Sequence, residues 1–355
     1  LSHTQVQWGR GTSAQIAAYT GPQGEIVVST DDYSLSVQDG ATAGGATRLT
    51  PSLPTPRGRL TLVSATPVMT ADVTAATLIY YTPHQGSHLP LHNGTVWTAQ
   101  AFTEFSLALD GNSGHAGYHQ SGKLFDLLVF NNGGSLALGT GPIWSSSTAR
   151  GSGAGTTELQ MLNGIWTNKN AITLRFGSSS GNTVSVAANQ ATYVGTFYAT
   201  ADGQTGMQFK PSAAAGGSNS FLGLYNAYNR VRILTRSADS ATNWSYTTAA
   251  WRAANNSNSN RVNWVDGLAQ SWVFASYDDI ISGAAQGSIG VTFDGTGAPP
   301  GLQGYFNGTL SSVRANDQMI GLGLHFAQAM ESGNTGLTFF AGSGIYGKLE
   351  AQLEM

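Results

Sequence analysis

"LFDLLVFNNGGSLALG" (124–139) is a dense apolar run, an Asn-Asn-Gly-Gly break, and a second apolar run. Two strand-length runs joined by Asn and Gly read as a β-hairpin, here turning around Asn131–Gly134. The same texture extends outward in both directions. "RLTLVSA" (59–65), "ATLIYYT" (76–82) and "TEFSLALD" (103–110) precede it. "AITLRFGSSSGNTVSVAANQATYVGTFYATADGQTGMQF" (171–209) follows, punctuated by Ser-Gly-Asn and Asp-Gly turns. Turn signals at intervals of about 8–12 residues set the rhythm of a sandwich or barrel. Beyond them lie "RVRILTR" (230–236), "NWSYTTAAW" (243–251), "GSIGVTF" (287–293) and "KLEAQLEM" (348–355). In the last, Leu349, Ala351, Leu353 and Met355 alternate with Lys348, Glu350, Gln352 and Glu354. That is a half-buried strand whose charges face out, as near a sheet edge. "AAGGSNSFLGLYNAYNRV" (214–231) breaks the rhythm and reads as a loop-rich connection.

Only one helix signal is present. "GTSAQIAAYTG" (11–21) has Thr12 and Ser13 as cap candidates and Gly21 as a stop. After it, Glu25–Ser29 and Tyr33–Val37 alternate around an Asp31-Asp32 turn, a second hairpin. "TPSLPTPRG" (50–58) carries three prolines and reads as a stiff linker. The expected fold is all-β. A small N-terminal hairpin domain with one short helix (1–50) and a Pro-rich linker (51–58) come first. One or two jelly-roll-like β-sandwich domains follow, a β-rich domain (59–205) and a C-terminal sandwich (206–355). A unit of about fifty residues buries little surface by itself, so it is expected to share a core with other copies.

Composition narrows function by exclusion. Charged residues are 10% of the 355, and the net charge is -3. No basic block suits nucleic acid, and no apolar run approaches the ~18 residues that span a bilayer. The chain has no cysteine, which excludes disulfides, thiolate metal sites and a Cys nucleophile. The opening "LSHTQVQWGRG" (1–11) lacks the basic and apolar regions of a signal peptide.

His84, His88 and His92 follow H-x3-H-x3-H, but Pro83, Gly86 and Pro90 argue against a helix that would stack them. They read as a polar loop. His115 and His119 are also read as loop-borne, and one such His per chain could ring a three-fold axis around an ion. "DGNSG" (110–114) opens like a calcium loop, but Ser121 stands where the closing Glu belongs. Glu104, Asp110, Asp126, Glu158 and Asp202 are the carboxylates a glycosidase would draw on, and nothing pairs any two. No nucleophile elbow, phosphate loop or zinc-protease helix is present. No enzyme activity, metal or cofactor is expected.

The binding candidates lie in the C-terminal third. Arg230, Arg232 and Arg236 share a strand face. Trp244, Tyr246 and Trp251 follow, with Trp264 and Trp272 further on. Aromatics beside cations stack on sugar rings and bind acidic glycans; the same aromatics also fill cores and subunit contacts. "ANNSNSN" (254–260), with Asn255 and Asn256, reads as an exposed tip loop.

Residues 5–49 carry Arg10-Gly11-Thr12, Gly24-Glu25, Asp31-Asp32, Asp39-Gly40 and Gly44-Gly45 in order. This pattern resembles the N-terminal domain of major-tropism-determinant-like phage fibres. "FSLALDGNSGHAGYHQSGKLFDLLVF" (105–130), "LALGTGPIWSSSTARGSGAGTTELQMLNGIW" (136–166), "LYNAYNRV" (224–231) and "WSYTTAAWRAANNS" (244–257) are similar to segments of phage tail or head fibres. No stretch matches the family's lectin-like C-terminal part, so its receptor-binding residues cannot be carried over. The resemblance implies a homotrimeric virion protein assembled in the bacterial host cytoplasm. Its N-terminal domain would contact other virion proteins, and its far end a host surface glycan or other receptor. It implies no nucleic acid and no membrane insertion. Two further readings stay open: a structural head or collar decoration fibre, and a polysaccharide depolymerase tailspike.

Overall fold

The expected N-terminal helix forms at Ser13–Ala17, and its first turn shows why. Thr12 Oγ1 accepts from the Gln15 backbone N–H at 3.3 Å, and Gln15 Oε1 accepts from the Thr12 N–H at 2.9 Å. This reciprocal box satisfies two donors that a helix start leaves open. The computed structural model describes residues 8–31, 33–49, 54–283, 286–299, 304–306, 310–341 and 346–355. Asp32 of the expected turn and residues 51–53 of the expected linker lie outside them. Two compact units emerge, Leu1–Pro54 and Thr55–Met355.

In the first unit the helix joins strand Gly9–Gly11 to its parallel partner Ile26–Ser29, followed by antiparallel Leu35–Val37 and Thr47–Leu49. Ser13 lies inside the helix, and its hydroxyl donates to Asp31 Oδ2 at 2.7 Å. The hydroxyls of Ser13 and Ser29 and the Ser13 N–H hold the Asp31 carboxyl well below the usual carboxylate range. Asp39 accepts from the Thr42 hydroxyl at 2.6 Å and the Thr42 N–H at 2.7 Å, and its pKa falls to about 2. Gly45 has φ 81°, and a Cβ there would stand 2.4 Å from the Val37 carbonyl oxygen. Of the quoted landmarks, Thr12, Asp31, Asp39 and Gly45 are therefore turn and cap devices, while Arg10 and Gly11 belong to the first strand. Among the described residues only Ile16 and Val27 are buried apolar side chains of this unit, while Trp8, Tyr19 and Tyr33 are exposed.

The second unit is built on three larger sheets. In the first, Leu124–Asn132 lies between Ser135–Ile143 and Ala191–Tyr198. The expected hairpin is present, turning through Gly133 and Gly134, both at positive φ, with Asn132 opposite Ser135. Every residue from Leu124 to Phe130 is buried, so the strand is covered on both faces; this is why its sequence does not alternate. The second sheet runs Gly304–Phe306, Gly287–Phe293, Gly323–Ser332, Arg261–Asp266, Ser220–Leu222, Thr205–Gln208, Val73–Ala76. The third runs Arg232–Ala238, Lys348–Glu354, Trp272–Ser282, Thr338–Phe340, Trp244–Ser245. A hairpin of His88–His92 and Trp97–Ala101, and a small sheet of Phe105–Ala108, Leu78–Pro83 and Gly58–Thr61, complete the strands discussed below.

The boundary expected at 205/206 has no counterpart in this division. Val73–Ala76 pairs with Thr205–Gln208, and Ala191–Tyr198 pairs with Leu224–Asn226. Arg59 Nη1 donates to the carbonyls of Asn229 at 2.7 Å and Met355 at 2.8 Å, and one apolar cluster runs from Leu60 to Met355. Residues 214–231 are also more ordered than a loop-rich connection, since Ser220–Leu222 and Leu224–Asn226 enter different sheets on either side of Gly223. A Cβ on Gly223 would meet the Phe221 ring at 2.4 Å and the Gly206 carbonyl oxygen at 2.6 Å. Gly223→Ala is expected to cost about 1–3 kcal/mol, read by urea denaturation. The C-terminal strand alternates as expected, with its four apolar residues buried. It is not an edge, however: it lies between Arg232–Ala238 and Trp272–Ser282.

Candidate functional site

The eight residues singled out for binding fall in two places. Arg232 and Arg236 project from one face of Arg232–Ala238, an edge strand, opposite Glu354 and Glu350 of the neighbouring strand. Arg236 Nε is buried without a partner among the described residues. Arg230 precedes the strand and reaches the Tyr225 hydroxyl at 3.5 Å and Gln270 Oε1 at 3.4 Å. Trp244 stands on the opposite edge of the same sheet, with three strands between. At strand spacing that is roughly 19 Å. The arginine strand and the aromatic group therefore form two surfaces rather than one.

Two residues that the sequence reading missed organise the aromatic group. Glu331 is fully buried; its Oε2 accepts from Trp244 Nε1 at 2.6 Å, and its Oε1 from Arg252 Nε at 2.7 Å. Burial raises the Glu331 pKa, against the pull of these two donors. The Arg252 guanidinium lies 3.7 Å from the Tyr246 ring centre, and Trp244 stacks on Phe339 at 6.0 Å. Each of these two rings thus already has an intrachain partner on a face, as packing aromatics do. Trp251 is half-buried on a strand paired with Gly323–Ser332. Trp264 is buried in the core, and Trp272 is 60% exposed. A signal for Glu331 would have been hard to find, because its strand partners are remote in sequence.

The Asn/Ser run is less exposed than expected. Asn255 Nδ2 and Asn260 Nδ2 both donate to Asp239 Oδ2, at 2.9 and 3.1 Å, and Asp239 is buried. Asn255 and Asn256 both adopt left-handed backbone, at φ 53° and 51°, which asparagine tolerates. Asn256, Asn258 and Ser259 remain exposed.

The remaining candidates have structural partners. Asp110 Oδ2 contacts His115 Nδ1 and Arg175 Nη1, each at 2.9 Å, so the calcium-like turn is closed by an arginine. His119 is fully buried, with Nδ1 accepting from the Asp110 N–H at 2.7 Å and Nε2 at 2.9 Å from Thr140 Oγ1. Burial, helped by Arg175, lowers its pKa to about 4. His119 is therefore enclosed by its own chain, which removes it from the axis-ring reading. His88 and His92 lie at the ends of a strand, where a loop was expected. Glu104 binds Ser64, Ala65 and Thr82; Asp126 binds Arg150; Glu158 binds Lys169; Asp202 binds Ser121. Among the described residues no two of the five candidate carboxylates share a side-chain partner. Among the described residues no three His, Asp or Glu are placed to hold a metal ion.

Residues 6–42 match the family model for the major tropism determinant N-terminal domain. Solved structures of the major tropism determinant P3c and I1 variants align at 18% identity, over 74% of this chain and 56% of theirs, with a TM-score of 0.24. An insecticidal delta-endotoxin of Bacillus thuringiensis aligns at 6% identity over 84% of this chain and 51% of its own, with a TM-score of 0.20. The chain spans little more than half the length of these proteins, and TM-scores this low carry no structural argument. No curated protein sequence matches the chain. The N-terminal unit, with its capped helix and its Asp31 and Asp39 turns, is thus similar over residues 6–42 to the major tropism determinant N-terminal domain.

Proposed function

We propose that the chain is a phage virion fibre protein that attaches to the bacterial host surface, through a glycan or another surface receptor. The match of residues 6–42 carries this reading. The N-terminal unit would assemble the fibre and meet other virion proteins, and residues 55–355 would face the host. Binding without catalysis fits the candidate carboxylates, each engaged by different neighbours.

A homotrimer is part of the proposal. The first unit has two buried apolar side chains and three exposed aromatics among its described residues, a balance that favours sharing a core between copies. Light scattering on the purified chain is expected to give about 111 kDa, three times the 37.0 kDa chain. Tyr33→Asp with Tyr19→Asp is expected to shift the mass toward one chain. A monomer for the unaltered protein would sink the trimer.

The attachment reading is tested with fluorescently labelled protein on hosts of the phage that encodes it. Cell binding that competes with phage adsorption is the expected result. No binding to any susceptible host, with phage adsorption unimpaired by excess protein, would leave a decoration role on the particle instead.

A further inference from the structure

A cavity of about 510 Å³ lies where the His88–His92/Trp97–Ala101 hairpin meets Asn131 and strand Thr183–Val186. None of the eight residues discussed above lines it. Among the described residues no Asp, Glu, Lys or Arg lines it either. Its polar lining is His92, Asn93, Thr98, Gln100, Asn131, Ser185 and Gln190, the Thr98 hydroxyl being engaged by the Leu91 carbonyl and the Gln100 amide, and Leu91, Val184 and Val186 supply an apolar patch. The volume is that of a small-molecule site.

Five of these side chains are fixed at one atom and open at the complementary one. Asn131 Oδ1 accepts from the Gly134 N–H at 2.6 Å, which leaves its Nδ2 donors open. Asn93 Oδ1 accepts from the N–H groups of Thr95 and Val96, both at 2.9 Å, which leaves its Nδ2 open. His92 is 8% exposed, and its Nδ1 accepts from the Gly94 N–H at 3.1 Å. That contact places the ring proton on Nε2, a donor without a partner among the described residues. Gln190 Nε2 donates to the Asn93 carbonyl at 2.9 Å, and Gln100 Nε2 to Thr98 Oγ1 at 2.8 Å, so both Oε1 acceptors are open. The turn is shaped for this: Gly94 has φ 100°, and a Cβ there would stand 2.7 Å from Gln190 Nε2. Thr192 Oγ1 ties the hairpin down through the buried Pro90 carbonyl at 2.7 Å.

We infer that this cavity binds an uncharged saccharide. Three open donors, two open acceptors and one hydroxyl match a ligand whose every hydroxyl both donates and accepts. The apolar patch suits the C–H face of a sugar ring. A phosphate or carboxylate would shed its water there with no opposite charge to meet it. Holding each side chain at one end lowers the ordering cost of binding. The inference deepens the attachment reading by naming a ligand class, and it rests on that reading only for the ligand's source.

The test titrates the full chain with the methyl glycosides of glucose, galactose, mannose and N-acetylglucosamine, and with glucuronate, by saturation-transfer NMR and calorimetry. At least one neutral glycoside is expected to bind, and glucuronate to bind more weakly. Asn131→Asp keeps the oxygen that holds the turn and removes the amide donor; it should weaken binding by roughly tenfold or more. Ser185→Ala, at an exposed position, should weaken it a few-fold with an unchanged melting temperature. No glycoside bound, glucuronate bound equally well, or Asn131→Asp and Ser185→Ala both binding like the unaltered chain would overturn the inference. Whole-cell binding is scored beside it. Cells bound with no glycoside bound removes the saccharide site and keeps attachment. Glycosides bound through this cavity with no cell bound keeps the site and removes attachment.

Discussion

Asp126→Ala is expected to destabilise residues 55–355 by about 3–5 kcal/mol, the cost of leaving a buried charge without its partner. Asp126 is fully buried, and Arg150 grips it with two bonds, Nε to Oδ2 at 2.6 Å and Nη2 to Oδ1 at 3.0 Å. Arg150 Nη2 also reaches the Gly267 carbonyl at 2.5 Å and the Tyr193 hydroxyl at 3.2 Å, and Thr196 Oγ1 donates to Asp126 at 2.7 Å. The Trp144 ring lies 4.4 Å from the guanidinium. Burial disfavours the Arg150 charge, yet Asp126 and Tyr193 hold its pKa above the ordinary value. Asp126 and Tyr193 belong to one large sheet, and Gly267 follows a strand of another, so the cluster clasps two sheets. Urea denaturation followed by tryptophan fluorescence reads this unit, because seven of the eight tryptophans lie in it. Asp126→Ala with Arg150→Met should cost less than the two single changes added together, since no charge is then stranded. Strict additivity would show that the ion pair is not the clasp.

Asp279→Asn is expected to flatten the pH dependence of stability. Asp279 is fully buried on Trp272–Ser282, and burial raises its pKa well above the usual value, with Glu331 adding to the effect. The Tyr277 hydroxyl at 2.8 Å and the Ile280 N–H at 2.7 Å oppose that shift without cancelling it. The folded chain then holds a proton that the unfolded chain releases near pH 4. Its stabilising share is complete below that pH and is lost as the pH rises through the folded value. The slope is about 1.4 kcal/mol per pH unit for this one group. Asparagine has no proton to lose, so the variant should gain on the native chain by that slope as the pH climbs from 4. Parallel curves from pH 4 to 8 would mean that Asp279 is ionised in the fold.

Strands were legible because alternation and turn residues are local. Gly133 and Gly134 announced their hairpin, and Thr12 its helix. Pairing was not legible, because it joins residues with no shared pattern. Nothing in "DVTAA" (72–76) points to Met207, and nothing in "AMES" (329–332) points to Trp244 or Arg252. Ala191–Tyr198 pairs with Leu224–Asn226 and Val73–Ala76 with Thr205–Gln208, so the boundary drawn between 205 and 206 divided one core. The aromatic candidates illustrate the same limit. Residue type marked Trp244 and Tyr246 as stackers, but only the fold shows that Phe339 and Arg252 already lie against them. The saccharide cavity was wholly invisible, since a neutral Asn/Gln lining looks like any polar loop.

Arg59 gives the second unit a mechanical property. Near the unit's beginning, its guanidinium holds the carbonyls of Asn229 and Met355, and the next residue's N–H meets Asn226 Oδ1 at 2.6 Å. A pull on Thr55 therefore does not unzip a terminal strand one bond at a time. It loads three anchor points drawn from distant parts of the chain at once. Tension applied at Thr55 thus enters through a strand riveted to the chain's middle and to its last residue.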